Sequence, residues 1–124
     1  MIDRVDIRPF IKGLKTNNRS AEEQFQNETL RPIIKLQHDL LIAYFKVYLL
    51  DKKCNFSELL ELKKIAFIEA AFQKDNIFKA ELKGIVIGQF NNEEFEEYCT
   101  NKSDFNKRIL VMIEQRILSV IELF

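Results

Sequence analysis

Of the fifteen residues from Leu36 to Leu50, only Gln37, His38, Asp39 and Lys46 are strongly polar. A run this apolar is shorter than the roughly 20 residues that span a bilayer, and it is too long for an ordinary strand. At about 100° per residue, Arg31, Lys35, Asp39 and Lys46 fall on one narrow stripe, which is the signature of a helix. The pattern predicts a helix over about residues 30–51. Thr29 caps it, and Pro32 sits in the first turn, where its missing N–H costs little. A helix apolar around most of its circumference must be surrounded on most sides, so the rest of the chain is expected to assemble around it.

The remaining segments carry helix signals as well. Ser20 followed by Glu23 fits a capping box. Ser57 precedes an apolar periodic stretch from about Glu58 to Gln73, and Asp75 or Asn76 starts another. Within that one, Gly84-Ile-Val-Ile-Gly88 also resembles a short buried strand, but no partner strand is evident to take its hydrogen bonds. Helix is therefore the better reading, with Gly84 and Gly88 on one face open to a neighbouring backbone. Asn91 or Asn92 caps a short acidic helix, and Ser103 caps a last one reaching Phe124. Its apolar face holds Phe105, Ile109, Met112, Ile113, Ile117, Val120 and Phe124. The expected fold is all-α, a single-domain five- or six-helix bundle over residues 20–124. Residues 1–19 precede it as a basic arm, interrupted by Pro9 and Gly13.

The 19 basic and 19 acidic side chains cancel, so no global field draws in nucleic acid or an anionic membrane. Charge is uneven locally. The arm carries Arg4, Arg8, Lys12, Lys15 and Arg19 against Asp3 and Asp6, while Glu93, Glu94, Glu96 and Glu97 crowd one short helix. Either the two segments meet, or each is a solvated face. A helix-turn-helix reading founders on its recognition helix, which offers only Lys79 and Lys83. The start MIDRVDIRPF lacks the apolar core of a signal peptide, so a cytoplasmic protein is expected, with Cys54 and Cys99 as separate reduced thiols.

With His38 as the single histidine, no multi-histidine metal site can be built within one chain. Nucleotide-binding glycine loops and nucleophile elbows are absent. No metal, no cofactor and no catalytic residue is expected. What stands out is polar groups where apolar ones belong. Gln37 lies in the apolar arc with Tyr44 and Tyr48, His38 borders that arc, and Arg116 falls inside the apolar face of the last helix. A buried arginine or glutamine must be hydrogen-bonded. The expectation is a network joining Arg116 to Gln37, a tyrosine hydroxyl or a glutamate.

The stretch Glu22-Glu-Gln-Phe-Gln-Asn-Glu-Thr-Leu-Arg-Pro-Ile-Ile-Lys-Leu-Gln-His-Asp-Leu-Leu41 resembles a family of small, uncharacterised all-helical bacterial proteins. Leu82-Lys-Gly-Ile-Val-Ile-Gly-Gln-Phe90, Asn106-Lys-Arg108 and Gln115-Arg116 extend the resemblance over most of the chain beyond the arm. Such proteins often carry the label "glyoxalase", and the resemblance brings no functional residues with it. Neither glyoxalase chemistry fits, because one histidine and no strand pattern supply neither a set of His, Gln and Glu ligands nor a T-H-x-H-x-D-H motif.

The expected function is therefore that of a non-catalytic helical protein that associates with itself or with another protein, because its apolar surface exceeds what one bundle face absorbs. The alternative is a small-molecule-binding or enzymatic protein with a pocket lined by Gln37, Tyr44, Tyr48, Arg116 and His38.

Overall fold

The computed structural model describes residues 3–9 and 20–124. The expectations placed on Gly13, Lys12, Lys15 and Arg19 lie outside the described residues. The described chain is an all-α bundle, without strands.

Ser20 opens it as expected, its hydroxyl accepting the Glu23 N–H at 3.2 Å. Helix α1 (Ala21–Phe25) then continues without a stop through a π turn (Gln26–Leu30) into α2 (Arg31–Leu36). Thr29 is not a cap but a buried residue inside this rod. Pro32 does occupy the first turn of α2.

The expected single helix over residues 30–51 is divided at Gln37, whose φ of −88° and ψ of 9° leave the helical region. Helix α3 (His38–Asp51) begins there and is capped at its end by Lys52, with Lys53 following. At φ 53° Lys53 occupies the left-handed conformation. Its N–H donates to Leu50 O, and the Cys54 N–H to Leu49 O, each at 3.0 Å. This is a Schellman ending with lysine in the place glycine usually takes.

Ser57 does not cap the next helix. Residues Phe56–Glu58 form a 3₁₀ turn, Leu59 and Leu60 are extended, and α4 (Glu61–Lys74) starts three residues later than expected. The cause is Phe56, buried between the rings of Phe45 and Phe67 at centroid distances of 6.0 Å each. Seating that ring outweighs one hydroxyl cap.

Asp75 caps α5 (Asn76–Ile87) by accepting the Phe78 N–H, and the glycine-flanked stretch is helical. The two glycines do not admit a neighbouring backbone, however. A Cβ on Gly84 would meet nothing within 4 Å, and one on Gly88 would meet only Gly84 O. Asn91 and Glu94 form a full capping box on α6 (Asn92–Thr100). Helix α7 (Lys102–Ser119) starts after Asn101 without a side-chain cap, so Ser103 lies inside its first turn. A last 3₁₀ turn (Ile121–Leu123) brings Phe124 against Phe45 at 4.7 Å.

The post of the bundle is α7, which packs against α2, α3, α4, α5 and α6. Its Phe105, Ile109, Met112, Ile113 and Ile117 are buried. Helix α3 has a different place. Leu41, Ile42, Phe45 and Leu49 face the core, while Leu40, Val47 and Leu50 are 50%, 54% and 76% exposed. Its broad apolar character is two stripes on opposite sides, of which the bundle covers one.

The described part of the basic arm docks on its own chain. Arg8 grips the Glu94 carboxylate with both terminal nitrogens, at 2.5 and 2.8 Å, and donates to Gln89 O at 2.5 Å. Arg4 donates to Phe90 O at 2.9 Å. These carbonyls follow the C-terminus of α5, where helical geometry leaves acceptors without partners. The arm and the acidic helix therefore meet within one chain.

Candidate functional site

The polar candidates settle in three places. Gln37, half-buried at the break between α2 and α3, reaches α5, and its Nε2 donates to Ile85 O at 3.1 Å. It serves as a side-chain cap for a C-terminal carbonyl. Gln37 makes no bond to Arg116, so the expected network between these two does not form.

Arg116 instead donates to His38 Nδ1 at 3.2 Å. A guanidinium has no acceptor atom, so Nδ1 must be the accepting nitrogen, which places the imidazole proton on Nε2. Burial pulls the Arg116 guanidinium below its ordinary range. The two side chains border a shallow recess of about 290 Å³ with Lys35, Leu36 and Asp39. The division of the helix at Gln37 is what turns His38 toward α7.

The tyrosines face α5. The Tyr44 hydroxyl donates to Glu81 Oε1 at 3.1 Å and that of Tyr48 to Asp75 Oδ2 at 2.8 Å. Burial, followed by the Glu81 hydrogen bond, pushes the Tyr44 phenol up to about 12. Burial and Asp75 push Tyr48 up as well. Asp75 is held low by the Phe78 N–H and then by Tyr48, with Lys52 at 3.6 Å as its ion-pair partner. The tyrosines border two adjoining open grooves. One, of about 340 Å³, is lined by Tyr44, Val47, Tyr48, Asp75, Ile77 and Glu81. The other, of about 570 Å³, runs past Tyr48, Phe67, Ala70 and Ile77.

The five candidates thus do not share one pocket. Tyr44 and Tyr48 stand together, His38 and Arg116 stand together, and Gln37 stands alone. Among the described residues no group of three or more His, Cys, Asp or Glu is arranged to hold a metal ion. No described helix is long and apolar enough to cross a membrane.

The feature that a polar-residue search passes over is the outward face of α3. Leu40, Ala43, Val47 and Leu50 recur at helical spacing, all exposed, opposite the buried stripe. Ile77, 73% exposed, borders it across the groove shared with Val47. Its signal lay in the spacing of the apolar residues. Comparison of the chain with protein families, curated proteins and solved structures gives no match.

Proposed function

We propose that this protein works by self-association through the outer face of α3, as a non-catalytic helical protein of the cytoplasm. The observation that supports this is the exposed stripe of Leu40, Ala43, Val47 and Leu50, extended by Ile77. Single exposed apolar side chains are ordinary. A contiguous row along one helix, backed by a rigid core, is the form that interaction surfaces take.

The test is light scattering on the purified full chain over a wide concentration range, beside Val47→Lys. Mass growing with concentration in the native chain and staying monomeric in Val47→Lys is the expected result. A native monomer throughout overturns self-association. An oligomer indifferent to Val47→Lys moves it to another face.

A second reading follows from the tyrosine grooves, whose volumes of about 340 and 570 Å³ fit a small ligand. Their aromatic walls suit a largely apolar molecule, with Asp75, Glu81 and Lys52 as its polar partners. Fragment screening by NMR tests it. Shifts clustering on Tyr44, Tyr48 and Ile77 support this reading, and none there removes it.

A further inference from the structure

The spacing of the outer stripe of α3 reads the same in both directions. Leu40, Ala43, Val47 and Leu50 are spaced three, four and three residues apart, with leucines at the ends and the smaller side chains between them. A two-fold interface has this requirement, since one patch must be complementary to itself. We infer that α3 pairs with α3 of a second copy, antiparallel about a two-fold axis near residue 45. This inference rests on the proposed self-association and names its partner and geometry.

In that arrangement Leu40 of each copy meets Leu50 of the other, and Ala43 meets Val47. The small alanine gives room to the branched valine, so the two helices approach closely along the middle of the seam. The charges agree with it. Asp39 and Lys46 are both exposed and flank the stripe on the same side. A two-fold axis of this kind brings like flanks together with their directions reversed. Lys46 of each copy then lies about 7 Å along the axis from Asp39 of the other, within reach of a lysine side chain. A parallel pairing would instead set this flank against the Tyr44 and Asp51 flank of the other copy, which offers Asp39 no cation. Neither residue forms an ion pair among the described residues of its own chain. Tyr44 and Asp51 occupy the other flank, so Asp39 and Asp51 are kept apart.

Four side chains per copy, with Ile77 beside them, make a seam at the small end of interface sizes. The expected dissociation constant is accordingly micromolar, about 1–100 µM.

Position-specific cross-linking tests the geometry on the full chain with Cys54→Ser and Cys99→Ser. Two single variants, Leu40→Cys and Leu50→Cys, are oxidised separately and as a mixture. The antiparallel seam gives efficient Leu40→Cys to Leu50→Cys products in the mixture and little product from either alone, because like positions stand about 15 Å apart. Products from each variant alone would mean a parallel pair and overturn the inference. A second test leaves the cysteines native. Asp39→Lys and Lys46→Asp should each weaken the dimer about threefold or more at low salt, and the double exchange should restore it. No restoration overturns the seam. Light scattering separates the two levels. A native dimer without the mixed product or the charge rescue removes this seam but keeps self-association, and a native monomer at millimolar concentration removes both.

Discussion

Arg8 and Glu94, 86 residues apart in sequence, form a two-pronged ion pair with side chains only 4% and 14% exposed. The same carboxylate accepts the Asn91 N–H at 2.9 Å, so one glutamate closes the α6 capping box and anchors the arm. Arg8→Ala leaves it without its cation, and the expected loss is about 2–3 kcal/mol by chemical denaturation.

That pair also sets a pH dependence. Burial pushes the Glu94 carboxyl up, but the Arg8 guanidinium, the Asn91 N–H and Thr29 outweigh it and hold it below the ordinary range. A lowered folded value stabilises above the unfolded value, near 4.3, and this contribution is lost as pH falls through the folded value. Denaturation midpoints should therefore drop below about pH 4.5 in the native chain. The drop should be smaller in Arg8→Ala. Parallel curves for the two proteins would show that other carboxylates carry the acid limb.

The tyrosines act at the opposite end of the scale. Tyr44 is raised to about 12, by burial and then by Glu81. A raised value stabilises the fold below the unfolded value near 10, and the contribution disappears as pH climbs toward 12. Ultraviolet titration should show phenol ionisation in the native protein delayed by more than a unit relative to the protein in denaturant. Tyr48→Phe removes the hydrogen bond to Asp75 and should cost about 1 kcal/mol at neutral pH.

Lys53 holds a left-handed backbone at the end of α3. Such a conformation costs a residue with a Cβ roughly 1–2 kcal/mol, of which glycine's greater unfolded freedom returns part. Lys53→Gly should raise stability by about 0.5–1 kcal/mol, read as a higher melting temperature. A lower one would mean that the lysine side chain itself contributes.

Gly84 stands in the interior of α5 with open space where a Cβ would go. Gly84→Ala should stabilise by up to about 1 kcal/mol, the helix-propensity difference. Loss of stability would instead imply that another surface packs against this position.

Local patterning in the chain is enough to mark most of its segments as helical. Their apolar residues recur every three to four positions, and the local chemistry of Ser20, Asp75 and Asn91 places three of the starts, because a cap acts within one turn of its own chain. Where a local signal competed with burial, tertiary structure prevailed. Phe56 took a place among Phe45 and Phe67 and set aside the Ser57 cap, and the rod ran through Thr29. The polar candidates were legible as residue types but not as partners. Arg116 found His38 rather than Gln37 because the division at Gln37 directs the two neighbouring side chains to different helices. Only the packing decided that α7, with one continuous buried stripe, is the post and that α3 keeps an apolar face outward. Periodicity shows that a helix has apolar sides, but how many of them are covered depends on how many neighbours the finished bundle can bring against it.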